Sequence, residues 1–284
     1  MKHYQNSLRQ EPLAHQDEYS SLDIQYEPEV GLAWYNMHPK PRPCVTPTLV
    51  GEIQHWFGEL QHNPTLQDVK YIVLASKVPG IFNLGGDLEL FTSLIRQRDR
   101  NGLFSYATSC IDTMMLNHHG LNRGITTIAL AQGDTLGGGL EYALSSDVFI
   151  VERSVKLGLP DILFNLFPGI GAYSFLSRKV GAKHAEEIIT SGRLYSAEYF
   201  FEIGVIDILA EDGQGEYAVH EYLSREEKAR NGIKAFRAAK KCTNPITRQE
   251  LIDVASIWAD AAMQLRDKDL RMMERLVSRQ NAKA

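Results

Sequence analysis

The residues of this chain best placed to do chemistry are three consecutive glycines, Gly137-Gly138-Gly139, and two carboxylates. Glu141 stands just beyond the glycines, and Asp161 ends the later segment Gly158-Leu159-Pro160-Asp161. Glycines carry no Cβ, so a ligand can come close to their main-chain N–H groups. The helix formers that follow, Glu141-Tyr142-Ala143-Leu144, make the glycines the opening of a helix. The first N–H groups of a helix lack intrahelical partners and stand at the positive end of its dipole. That is a place to hold a developing oxyanion. Two carboxylates beside it would add a general acid and a general base. The combination suits a reaction that stabilises an enolate-like anion and moves protons next to it. Taken alone, Gly-Gly-Gly-x-Glu also fits a tight strand-to-helix turn ending in a solvated Glu.

The elements that must position these residues alternate between strand and helix. Residues 1 to about 20 are polar and read as a loosely held arm. Leu22 to Tyr26 and Gly31 to Tyr35 read as strands, and His38-Pro39-Lys40-Pro41-Arg42-Pro43 as a stiff, extended connector. From Thr46, the apolar positions Leu49, Ile53, Trp56, Phe57 and Leu60 recur at helical spacing. Val69 to Ala75 is a continuous apolar strand, followed by the loop Pro79 to Asp87 and one long helical region from Leu88 to His118. Ile125 to Ala131 and Val148 to Val151 are further buried strands on either side of the glycine loop and its helix. Helices with turns are expected from Gly171 to about Ile208, and Thr247 with Glu250 makes a capping box for a late helix. The pattern predicts an α/β fold with a largely buried sheet.

Composition narrows the function. At 284 residues, with 44% apolar residues and a net charge of −5, the chain can bury one sizeable core and carries no electrostatic footprint for nucleic acid. It has no apolar run long enough for a membrane span, and its polar start argues against a secretory signal. Cys44, Cys110 and Cys242 are widely spaced without a metal-ligand pattern, which fits a reducing cytoplasm.

Five motifs occur in the order found in the crotonase (enoyl-CoA hydratase/isomerase) superfamily. Pro79-Gly80-Ile81-Phe82-Asn83-Leu84-Gly85-Gly86-Asp87-Leu88 resembles the loop after an early strand. Ile128 through Glu141 resembles the second signature and Leu157-Gly158-Leu159-Pro160-Asp161 the third, while Pro168-Gly169-Ile170-Gly171 and Gly192 through Glu198 match further markers. The resemblance implies a β-β-α spiral core over 21–210, a helical region over 211–284, and a homotrimer or dimer of trimers. By position it gives Leu84 and Gly138 the two oxyanion-hole N–H groups, and Glu141 and Asp161 the two catalytic carboxylates. Gly85, Gly86 and Gly137 would line the substrate. The substrate would be an acyl thioester of coenzyme A or of acyl carrier protein, with no cofactor and no metal. The second carboxylate is generally Glu in hydratases, so Asp161 is a departure.

Within the superfamily the chain looks most like the bacterial diffusible signal factor synthases. The arm, the run from Ile162 to Arg178 and Trp258 on a late helix carry that likeness. Such enzymes dehydrate a medium-chain 3-hydroxyacyl carrier-protein thioester to the cis-2-enoyl thioester. They then hydrolyse it to a free fatty acid used in quorum sensing, and in some systems they associate with a sensor histidine kinase.

The chemistry follows from the residues. Removing a C2 proton requires charge to be held on the thioester oxygen, and one hydrogen-bond donor there is worth about 3 kcal/mol. Two carboxylates in one apolar pocket repel, so one stays protonated. Leu136, Ile170, Trp258 and Leu276 are candidates for an apolar acyl slot. Asp87 reads as a helix cap, His118-His119 and Cys110 as structural, and Lys40 and Arg42 as solvated charge. Two other functions remain open: a coenzyme A-linked hydratase or isomerase, and a low-turnover binding module, which the shorter Asp161 keeps in view.

Overall fold

The computed structural model describes residues 19–281. All but the last two residues of the expected N-terminal arm lie outside the described residues. Strands β1 (Leu22–Glu27) and β2 (Leu32–Met37) pair antiparallel, and α1 (Pro47–His62) follows, with the Thr46 hydroxyl accepting the Leu49 N–H at its cap. Three β-β-α units come next. β3 (Tyr71–Ser76) and β4 (Ile81–Asn83) lead into α2 (Leu88–Arg96) and α3 (Arg100–His118). β5 (Thr126–Ala131) and β6 (Asp134–Leu136) lead into α4 (Gly138–Leu144). β7 (Val148–Glu152) and β8 (Lys156–Gly158) lead through a 3₁₀ turn (Pro160–Phe164) into α5 (Ala172–Val180) and α6 (Ala182–Ser191). After β9 (Leu194–Ser196), α7 (Ala197–Glu202) and β10 (Ile208–Ala210) come α8 (Gly215–Glu227), α9 (Arg230–Thr243), α10 (Arg248–Ala262) and α11 (Asp267–Asn281).

Each unit gives its first strand to a six-stranded sheet of order β1-β2-β3-β5-β7-β10. Its second strand goes to a four-stranded sheet of order β4-β6-β8-β9. The chain therefore climbs as a β-β-α spiral, and the expected α/β class is the one observed. Only β1 with β2 and β8 with β9 pair antiparallel in these sheets. Alternation along the central strands explains their continuous apolar sequences. Ala33, Tyr35, Ile72, Leu74 and Ala129 face the main core, while Trp34, Tyr71, Val73, Ile128 and Leu130 face Ala218, Val219 and Leu223 of α8.

Two expectations are corrected. The single helical region from Leu88 to His118 is two helices, because Arg98 takes a left-handed φ of 57° and the Asp99 carboxylate caps α3 by accepting the Gly102 N–H at 2.9 Å. The connector from His38 to Pro43 bends instead of running extended, and it turns Arg42 inward to 6% exposure.

Candidate active site

Strands β4 and β6 are hydrogen-bonded neighbours, so the loops that follow them leave the sheet side by side. They meet backbone to backbone. A Cβ on Gly85 would lie 3.2 Å from both Gly138 N and Leu136 O, and one on Gly138 would lie 3.4 Å from Gly86 N. Gly85 (φ 97°) and Gly137 (φ 48°) hold the turns that make this approach, in a region L side chains avoid. Gly139 has a separate role, since a Cβ there would press on the Asn83 side chain at 2.7 Å.

The hydrogen bonds of the first loop decide which amides face the ligand. Leu84 N–H donates to Pro43 O at 2.8 Å, and Gly85 N–H donates to Asn83 Oδ1 at 2.9 Å. Leu84, the donor expected from the resemblance, is therefore corrected: its N–H is already committed within the protein. Gly86 and Gly138 both line the cavity, and among the described residues neither N–H has a protein acceptor.

That cavity has a volume of about 30 Å³, room for one or two waters. Gly86, Gly138, Glu141 and Asp161 form its polar side; Phe91, Tyr106 and Trp258 close it from the helices and Ile170 from the loop before α5. The aromatic roof is edge-to-face, with ring centroids 5.3 Å apart for Phe91–Tyr106 and 5.2 Å apart for Phe91–Trp258. Trp258 is seated directly on Gly169, where a Cβ would fall 2.2 Å from the indole Cγ. A larger cleft of about 110 Å³ lies between α5 and α9, but its Arg178, Lys179, Arg237 and Lys241 are spent on Glu250, Asp207, Glu226 and Asp147.

Glu141 sits on the first turn of α4 and is 3% exposed. Its Oε1 accepts the Ile170 N–H at 3.0 Å and the Ala172 N–H at 2.9 Å, which leaves Oε2 to work on a ligand. Burial pushes its carboxyl up to about 8; the nearby Asp161 charge adds to the rise and the backbone amides partly oppose it. Asp161, in the 3₁₀ turn after β8, is pushed up to about 6, again by burial. Its Oδ2 is shielded from solvent and has no hydrogen-bond partner among the described residues. Burial raises both groups, so near neutral pH the pair favours keeping a shared proton. An anion bound to the two amides would lie beside one protonated and one ionised carboxyl.

The structure thus brings Glu141, Asp161, Gly86, Gly138, Ile170 and Trp258 onto one cavity, beside Gly85 and Gly137. Leu136 and Leu276 do not line it; Leu276 is half-buried on α11, packed against the core. The sequence reading missed Phe91, Tyr106 and Val45. Their helical or extended spacing marks them as inward-facing, but nothing in it distinguishes a wall from a core. Asp87 is the helix cap expected, accepting the Leu90 N–H at 3.2 Å.

With the spiral fold and its two-carboxylate cavity described, comparison with known proteins places the chain. The model of the enoyl-CoA hydratase/isomerase family matches residues 34–279, and the chain belongs to that family, within the crotonase superfamily. Mitochondrial methylglutaconyl-CoA hydratase of Mus musculus is 31% identical over 186 residues, which is 65% of this chain and 57% of that protein. The fatty acid oxidation complex subunit alpha of Pseudomonas syringae pv. tomato is 34% identical over 117 residues, 41% of this chain and 16% of that one. The matched region is therefore little more than half the length of the first relative. Among solved structures, an enoyl-CoA hydratase/isomerase from Xanthobacter autotrophicus Py2 superposes with a TM-score of 0.76 at 20% identity, covering 93% of this chain and 95% of that one. DspI of Pseudomonas aeruginosa gives a TM-score of 0.65 at 19% identity, covering 94% and 91%. Both structural likenesses are likenesses of fold.

Proposed function

We propose that this chain adds or removes water across the C2–C3 bond of an acyl thioester. The observation that carries this reading is the meeting, on one small cavity, of two amides without a protein acceptor among the described residues and the carboxylates of Glu141 and Asp161. Gly86 and Gly138 N–H groups would hold the thioester oxygen as it gains charge. Ionised Asp161 would take the C2 proton, and protonated Glu141 would give its proton to the departing C3 hydroxyl. The products are an enoyl thioester and water, and the protons balance between the two carboxyls.

The finer reading is diffusible signal factor synthesis: dehydration of a medium-chain 3-hydroxyacyl carrier-protein thioester, then hydrolysis to a free cis-2-unsaturated fatty acid. Two features support it. The cavity is roofed by aromatic and aliphatic side chains suited to an alkyl chain, and attack of water on the thioester would put charge on the same oxygen, so one amide pair can serve both steps. An oligomer and a sensor kinase partner belong to this reading as expectations. The second reading, a coenzyme A-linked enoyl hydratase, is favoured by the 31%-identical methylglutaconyl-CoA hydratase. Incubation with 3-hydroxydodecanoyl carrier protein separates them. Free cis-2-dodecenoic acid supports signal synthesis. A trans-2-enoyl thioester without free acid moves the chain to the hydratases. No turnover of carrier-protein or coenzyme A thioesters refutes both.

A further inference from the structure

Arg42 lies in the proline-rich connector, far in sequence from either loop of the site, yet it is buried against one of them. Its Nη2 is 2.9 Å from Asp87 Oδ1, the oxygen that also caps α2, and its Nη1 reaches Glu89 at 2.5 Å. The backbone on either side is tied to the same loop: Leu84 N–H to Pro43 O at 2.8 Å and Val45 N–H to Gly85 O at 2.7 Å. Val45 is held in turn by the Tyr106 hydroxyl, which donates to its carbonyl at 2.6 Å. Residues 42–45 and 84–87 thus run as one braced pair, and the amide left over at its centre is Gly86.

Taking the thioester reading above as its basis, we propose that Arg42 is a positioning residue that sets the Gly86 N–H for the thioester oxygen without touching substrate. Two physical effects combine. With Nη2 on Asp87 and Nη1 on Glu89, the guanidinium fixes the residue next to Gly86, where a small displacement is costly because a donor works only when aimed at the place where charge develops. The Asp87 carboxylate is itself buried one residue from that donor. Unpaired, its negative charge would oppose the charge growing on the thioester oxygen; Arg42 cancels it. A surface arginine holding a loop would supply neither effect.

The test reads the carbonyl directly. Dodecanoyl thioester labelled with ¹³C at C1 cannot be dehydrated, and its C=O stretch moves to lower frequency when two amides polarise it. In the wild type a clear downshift on binding is expected. In Arg42→Met the downshift should shrink by more than half, and on the 3-hydroxyacyl substrate kcat should fall about tenfold or more with KM within about twofold, the mark of an interaction made in the transition state. Arg42→Lys keeps the charge but loses the paired contacts to Asp87 and Glu89, and should give an intermediate shift even if Arg42→Met does not fold. A wild-type downshift in the folded variants would overturn the role given to Arg42 while leaving the thioester reading intact. No downshift in the wild type would remove that reading and this proposal together.

Discussion

Glu141→Gln should make the protein less active and, in alkaline solution, more stable. The carboxyl rises from an ordinary 4.5 to about 8 on folding. Between those values the folded chain holds a proton that the unfolded chain releases. Its stabilising contribution is therefore fully present below about pH 4.5 and is lost as pH rises through about 8. The full shift corresponds to about 5 kcal/mol, of which about 3–4 kcal/mol falls between pH 5 and pH 8. Gln keeps the shape and can still accept the Ile170 and Ala172 amides, but it does not titrate. Melting curves of wild type and variant at both pH values supply the assay. The difference in Tm should move in favour of the variant by roughly 6–10 °C from pH 5 to pH 8. Activity should fall by about 10²–10⁴, the usual worth of a general acid. Two melting temperatures that shift in parallel with pH would show that Glu141 is not a buried, proton-holding group, and the assignment of acid and base would collapse with it.

The pH profile of kcat/KM should rise through about 6 as Asp161 ionises and fall through about 8 as Glu141 loses its proton; a profile flat from pH 5 to 9 contradicts the pairing. Asp161→Glu, which moves the carboxylate by one methylene, should lower kcat by about a hundredfold; an unchanged or faster rate would mean the turn after β8 is shaped for the longer side chain. Gly169→Ala places a Cβ 2.2 Å from Trp258 Cγ and must push the indole aside. It should cost about 1–3 kcal/mol in denaturant midpoint measurements, and a neutral result would show that α10 is not clamped there.

The sequence made the buried sheet legible because its central strands are mostly apolar, as a sheet covered on both faces asks, while the spiral came only from the resemblance carried by the ordered motifs. Glu141 stood out by its place just after the glycines and Asp161 by the Leu157–Asp161 motif, and the structure sets both on one cavity. The donor opposite Gly138 was not legible. Whether Leu84 or Gly86 presents its N–H to the cavity is settled by Pro43, about forty residues earlier, whose carbonyl occupies Leu84. Arg42 was misread for a related reason: a lone arginine among prolines gives no sign of the Asp87 waiting for it. The break between α2 and α3 escaped notice because Asp99 reads equally well as a helix surface residue or a cap. Leu276 carries an inward-facing helical pattern, but periodicity cannot say whether the neighbour will be core or ligand.

The cavity has room for one or two waters, so a thioester with an acyl chain enters only where Phe91, Tyr106 and Trp258 move aside. Apparent affinity is then the intrinsic affinity multiplied by the fraction of molecules with the roof displaced. If about one molecule in a hundred is open, substrate binds about a hundredfold more weakly than the site itself allows. The same fraction governs how often bulk water reaches the carboxylates. Loosening the aromatic stack would tighten apparent binding and at the same time wet the site, so capture of substrate and dryness of the chemistry are set by a single equilibrium.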